Sequence, residues 1–120
     1  MLKRILVLDD NQDILDIIHE TLLYENFEVK VTLNSSQIIE LTESYQPDLI
    51  LIDYHLSGTN GNDICRQIKL HPKLAHIPVI ICSAYIQKNE DLSGWLCDDI
   101  IAKPFGLVEL TDKVNSLIMG

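Results

Sequence analysis

Five short apolar runs, each closed by polar residues and separated by stretches of helical periodicity, restrict the fold of this chain more than any other feature. Ile5-Leu6-Val7-Leu8 is too short for a helix and ends at Asp9-Asp10. Phe27 to Val31 alternates apolar and polar residues, as a strand with one more exposed side does. Leu49-Ile50-Leu51-Ile52 ends at Asp53, Pro78-Val79-Ile80-Ile81-Cys82 runs into Ser83, and Ile100-Ile101-Ala102 precedes Lys103-Pro104-Phe105. Between the first two runs, Ile14, Ile17, Ile18 and Leu22 share one helical face, with Asn11 as the N-cap. Asn34, Ser35 and Ser36 offer caps for a second helix carrying Ile38, Leu41 and Tyr45, which Pro47 closes. His55 to Asn60 reads as a loop, followed by Gly61 and a third helix that turns Ile64, Cys65 and Ile68 inward and stops before Pro72. Residues 85 to 95 are expected to hold a short fourth helix with Trp95 near its end, and the last helix carries Leu107, Leu110, Val114, Leu117 and Ile118.

Five strands alternating with five helices in 120 residues predict an α/β fold, a doubly wound parallel sheet with helices on both faces. Near-continuous apolar strands agree, because a sheet covered on both sides buries both sides. No repeat, low-complexity tract or linker interrupts the pattern, so residues 1–120 are expected to form one domain.

The 9 Lys+Arg against 18 Asp+Glu leave a net charge of −9. That balance excludes the basic surface that nucleic acid or an anionic membrane would require. No apolar run approaches the roughly 20 residues of a membrane span, and no cleavable leader is visible at the N-terminus, so the cytoplasm is the expected compartment. Cys65, Cys82 and Cys97 are odd in number and lack CxxC spacing, which points to free thiols, the first two serving in packing. His71 and His76 flank Pro72 without a partner pair and read as surface residues, so zinc is not expected.

The chemistry lies at the strand ends. In open α/β sheets the functional site forms outside the carboxyl ends of the strands. Those ends carry Asp9 and Asp10, Asp53, Ser83 and Lys103, scattered over 95 positions yet expected on one edge. Two unit charges about 4 Å apart repel by roughly 4 kcal/mol at an effective dielectric near 20. Protonation or a cation must offset that cost, and an all-oxygen donor set suits Mg²⁺. With a metal in place, Asp53 could act as a nucleophile towards phosphorus, while Ser83 and Lys103 neutralise charge on the transferring group.

These residues resemble the receiver domain of bacterial two-component response regulators, of the single-domain chemotaxis (CheY-like) kind, over essentially the whole chain. The resemblance rests on Leu8-Asp9-Asp10-Asn11, Asp53-Tyr54-His55-Leu56-Ser57-Gly58 with Gly61, Ser83-Ala84 and Lys103-Pro104-Phe105. It implies a flavodoxin-like sheet in the strand order 2-1-3-4-5 and a phosphorelay switch. Asp53 would accept a phosphoryl group from a sensor histidine kinase or a histidine phosphotransfer protein. Asp10, Asp53 and the carbonyl of His55 would bind Mg²⁺ directly, with Asp9 acting largely through water. Ser83 and Lys103 would contact the phosphoryl oxygens, and the Lys103–Pro104 bond would be cis. The output would be contact with a downstream protein through the fourth-helix to fifth-helix face, or a role as intermediate or sink in a phosphorelay, and the only chemistry catalysed would be the chain's own phosphorylation and dephosphorylation.

The departures from the family pattern carry expectations of their own. Ile100 stands where the family places Tyr or Phe, so the inward swing of an aromatic side chain is not available there. Ser57 replaces a common proline, Leu96-Cys97 replaces a small pair, and the stretch from Ser83 to Lys103 is about two residues short. His55 and Tyr85 occupy positions that in the family tune the phosphoryl lifetime; bulk there would lengthen it by hindering water. Asp13, Asp16 and Glu20 form one stripe of the first helix, a solvated face or a docking face for a basic patch on a kinase.

Competing readings fail on particular residues. A haloacid-dehalogenase-type phosphatase wants a second Asp where His55 stands, and an FMN carrier wants a hydroxyl- and glycine-rich loop where Asp9-Asp10 would repel phosphate. A receiver-like scaffold without phosphorylation-dependent switching, or a receiver piece of a larger hybrid protein, remains as the alternative.

Overall fold

The computed structural model describes residues 2–84 and 94–118. The strands are β1 (Arg4–Leu8), β2 (Glu28–Thr32), β3 (Leu49–Asp53), β4 (His55–Leu56), β5 (Thr59–Asn60), β6 (Val79–Ser83) and β7 (Asp99–Ala102). The helices are α1 (Gln12–Tyr24), α2 (Ile38–Tyr45), α3 (Gly61–Leu70) and α4 (Leu107–Ile118). Five strands form one parallel sheet in the order β2-β1-β3-β6-β7, the predicted topology. β4 and β5 pair separately as a small antiparallel hairpin.

The alternation of side chains along each strand divides the core in two. Ile5, Val7, Leu49, Leu51, Ile80 and Cys82 face α1 and α4, where they meet Leu15, Ile18, Leu22, Leu110 and Val114. Leu6, Leu8, Ile50, Ile52, Val79 and Ile81 face α2 and α3, where they meet Ile38, Ile64, Cys65 and Ile68. β3 and β6 are buried along their whole length, as central strands covered on both faces must be, whereas β2 and β7 are the half-exposed edges. No helix among the described residues is long and apolar enough to cross a membrane.

Four local expectations change. Helix α1 is rotated relative to the sequence reading: Leu15, Ile18 and Leu22 are buried, Ile14 packs partly, and Ile17 is 51% exposed. The segment His55 to Asn60 is not an irregular loop but the β4–β5 hairpin. A single 3-10 turn, Ser35–Gln37, capped by the Asn34 side chain, precedes α2. Four α-helices rather than five lie among the described residues; residues 85–93, which hold most of the expected fourth helix, lie outside them, while Gly94 and Trp95 are non-helical. Asn11 caps α1 as expected, its side chain accepting from the N–H groups of Asp13 and Ile14.

One lysine ties the sheet's far side together. Lys69 of α3 reaches the Ile77 carbonyl and the Asp98 carboxylate, each at 2.7 Å. The same Asp98 oxygen accepts the Val79 N–H at 2.8 Å. Replacing Lys69 by Met should cost about 2 kcal/mol, since a charged hydrogen-bond donor is lost from a partly exposed carboxylate. The check is the urea midpoint at constant m-value; an unchanged midpoint would show that the clamp contributes nothing.

Candidate functional site

Strand order places the site. The chain leaves β1 towards β2 on one side and returns to β3 on the other, so the switch point lies between β1 and β3. Asp9 and Asp10 follow β1, Asp53 ends β3, Ser83 ends β6, and Lys103 follows β7. The structure brings Asp9, Asp10 and Asp53 into one cluster, with a carboxylate oxygen from each within 4.8 Å of the others.

Lys103 crosses from the sheet edge into this cluster. Its Nζ stands 3.0 Å from Asp9 Oδ2 and 3.0 Å from Asp53 Oδ1. Its N–H donates to the Ser83 carbonyl at 2.9 Å, which anchors the stem of the lysine to β6. The Lys103–Pro104 bond is cis, as expected. Asp9 is 2% exposed and has a partner at each oxygen, because Oδ1 accepts the Asn11 N–H at 3.0 Å. Asp53 is buried at 7% exposure, Ser83 is buried, Asp10 is exposed, and His55 lies exposed on β4. Tyr85 lies outside the described residues.

Burial pushes the Asp53 carboxyl above its usual range, a shift that Asp9 and Asp10 reinforce and the Lys103 ammonium opposes. Burial works against the Lys103 charge, but the Asp53 and Asp9 carboxylates together raise its pKa above the usual lysine value. The ammonium therefore stays charged and offsets part of the carboxylate repulsion. The hard oxygen donors of Asp9, Asp10 and Asp53 fit a divalent cation such as Mg²⁺, and the exposed Asp10 leaves an approach from solvent. The thiols take no part: burial pushes Cys82 and Cys65 up to about 12 and Cys97 up to about 11.

Two supports of the site were not assigned from sequence. Gly61 opens α3 against the backbone of Asp53, so close that a Cβ would lie 2.6 Å from the Asp53 carbonyl oxygen. Tyr54, the residue after Asp53, stacks on Trp95 at 5.3 Å between ring centroids. Gly61 had a signal in its place shortly after the acidic strand end; the Tyr54–Trp95 pair had none, because its members are distant in sequence.

Sheet and site together define a flavodoxin-like α/β protein with an acidic, lysine-bridged cluster at its switch point. The family model described as "Response regulator receiver domain" matches residues 5–115, and the chain belongs to that family. It is 34% identical over 120 residues to the nisin biosynthesis regulatory protein NisR of Lactococcus lactis, covering 98% of this chain and 51% of that protein. It is 28% identical over 120 residues to the phosphate regulon transcriptional regulatory protein PhoB of Rhizobium meliloti, covering 98% and 53%. The chain thus spans about half the length of the curated relatives it matches. Among solved structures, the response regulator protein TrrA of Thermotoga maritima, in complex with Mg²⁺-BeF, superposes with a TM-score of 0.86 at 31% identity, covering 97% of this chain and 99% of that one. TrrA in complex with the histidine kinase ThkA gives a TM-score of 0.85 at 30% identity, covering 98% and 99%.

Proposed function

We propose that this chain is a phosphorylation switch of a two-component phosphorelay, with Asp53 as its phosphoacceptor. The observation that carries the reading is the cluster of Asp9, Asp10 and Asp53 at the end of the central strand, with the Lys103 ammonium bridging Asp9 and Asp53. An Asp53 carboxylate oxygen forms the new bond to phosphorus as the bond from phosphorus to the donor's imidazole nitrogen breaks, and the imidazole keeps the electron pair. The nucleophile is already an anion, so no base is required. Lys103 neutralises charge on the phosphoryl oxygens from beside Asp53, and the Ser83 hydroxyl is the second donor. Asp10, Asp53 and the His55 carbonyl would hold Mg²⁺ directly, and Asp9, already engaged by Lys103 and Asn11, would act through water. Bound there, Mg²⁺ screens the carboxylates from the incoming phosphoryl group. The chain catalyses only the gain and loss of its own phosphoryl group, and residues 1–120 act as one receiver domain in the cytoplasm, where its thiols stay reduced.

The upstream partner is a histidine kinase or phosphotransfer protein, as TrrA's complex with ThkA supports. Beside Lys103, Ile14, Ile17 and Ile18 of α1 and Pro104, Phe105 and Leu107 line an apolar cavity of about 410 Å³. Asp13, Asp16 and Glu20 are exposed on the same helix, which suits a partner presenting apolar side chains flanked by basic ones. The downstream partner is another protein.

Incubation with Mg²⁺ and acetyl phosphate, followed by intact mass, tests the reading. Wild type should gain one phosphoryl group, while Asp53→Asn, or wild type with EDTA, should gain none. Equal uptake by Asp53→Asn would defeat the assignment, and no uptake by wild type would favour the scaffold.

A further inference from the structure

Tyr54 is fixed from several sides. Its ring lies flat on Trp95, with centroids 5.3 Å apart and planes 3° from parallel. Its edge meets the His55 ring at 5.7 Å and 89°. Its N–H donates to the Cys82 carbonyl at 2.8 Å, and its carbonyl accepts the Gly61 N–H at 2.8 Å. The residue between Asp53 and His55 is therefore held by β6, by the start of α3 and by Trp95.

Trp95 belongs to the short segment that leads into β7. That segment is anchored at Asp98 by Lys69 of α3, and the next residue, Asp99, pairs with Lys113 of α4 at 3.1 Å. Ile100, further along β7, has no ring to move. A stack between the acceptor's neighbour and this segment is the aromatic contact seen among the described residues that joins the site to β7 and, through the two ion pairs, to α3 and α4.

We propose that Trp95 is a positioning residue for the phosphoryl site: acting through Tyr54, it holds the backbone of residues 53–55 and carries the occupancy of the site to the segment before β7. The inference rests on the proposed function, in which Asp53 and the His55 carbonyl are ligands on either side of Tyr54. A cation held by both would pull on the two peptide units of Tyr54, and its ring would move with them. A flat stack loses contact when either ring tilts, so Trp95 resists that movement and responds to it. Linkage makes the effect reciprocal: whatever factor occupancy imposes on the stack, the stack imposes on occupancy. The stack itself sets the ceiling, roughly two- to tenfold in an equilibrium constant.

The experiment compares wild type, Trp95→Ala and Trp95→Phe, each confirmed folded by thermal unfolding. Mg²⁺ affinity is read by calorimetry, and the lifetime of the acetyl-phosphate-derived phosphoryl group by intact mass. Trp95→Ala should shift Mg²⁺ affinity or lifetime by about two- to tenfold, and Trp95→Phe, which keeps a stacking ring, should restore most of it. Trp95 is the sole tryptophan, so wild-type fluorescence should change on phosphorylation, and this change should vanish in Tyr54→Leu. Unchanged affinity and lifetime in Trp95→Ala, or silent fluorescence in a sample that mass shows to be phosphorylated, would overturn the proposal. Uptake of Mg²⁺ without phosphoryl, with affinity still shifted in Trp95→Ala, would defeat the phosphoacceptor reading and leave the positioning role standing. Wild type that takes up neither would overturn both.

Discussion

Replacing Lys103 by Met should destabilise the metal-free protein by about 3 kcal/mol at neutral pH and slow phosphoryl uptake by about 10² to 10³-fold. Lys103 is the ammonium within 3.0 Å of both Asp9 and Asp53, and those two carboxylates are almost wholly buried. Without it they face each other with no compensating charge, and removing one partner of a buried ion pair costs more than the pair is worth. The sign with pH follows from the same geometry. Burial already holds the Asp53 carboxyl above its usual value, and loss of the ammonium that opposes this shift raises it further. The charge penalty is then greatest above the folded-state value of Asp53 and is relieved as falling pH protonates that carboxylate. Urea denaturation from neutral pH down to about pH 4 should therefore show wild type and variant converging in acid. Mg²⁺ should also stabilise the variant more than wild type, since the cation takes over charge that Lys103 otherwise offsets. A variant as stable as wild type at pH 7 would mean that the ammonium is not what holds the carboxylates together.

Gly61→Ala should be nearly as damaging, although the residue has no chemistry. Its Cβ would sit 2.6 Å from the Asp53 carbonyl oxygen and 3.1 Å from both the Asp53 carbonyl carbon and Ile52 Cγ2. The closest of these atoms is backbone and cannot rotate away, so β3 or the start of α3 must shift. Overpacking of this kind typically costs about 1–3 kcal/mol. A displacement of the nucleophile approaching 1 Å slows transfer by about 10²-fold. Gly106→Ala is the control, because nothing lies within 4 Å of a Cβ there. Comparable stability and uptake rates for the two variants would show that β3 tolerates the intrusion.

The topology was legible because the strands are continuous apolar runs with abrupt polar ends. A run such as Leu49 to Ile52 fits only a strand buried on both faces, and the structure buries every residue of it. The rotation of α1 was not legible. Ile14, Leu15, Ile17, Ile18, Leu22 and Leu23 surround the helix, so periodicity alone could not select the buried stripe, and Ile17 was turned inward wrongly. The β4–β5 hairpin is too short and too polar to have a period at all. At the site, the carboxylates and the lysine were legible one by one as strand-end residues, and sheet topology then dictated their convergence. The details of their support were not, because they depend on tertiary contacts: the closeness of Gly61 to Asp53 and the stack of Tyr54 on Trp95.

The charge of −9, which first excluded nucleic acid and membranes, also divides on the structure. Setting aside Asp9, Asp10, Asp53 and Lys103 still leaves −7, so most of the excess lies outside the site. Asp13, Asp16, Glu20 and Glu25 are all exposed on or just after α1, the helix whose Ile14, Ile17 and Ile18 line the apolar cavity next to Lys103.

The central claim is that the carboxylate ending β3 receives the phosphoryl group. Its most direct test is to phosphorylate wild type with acetyl phosphate and Mg²⁺, reduce the acyl phosphate with borohydride, and map the product by peptide mass spectrometry. Reduction converts a phosphorylated aspartate to homoserine, and that conversion is expected at Asp53 alone. Homoserine at Asp9 or Asp10 with Asp53 intact would contradict it.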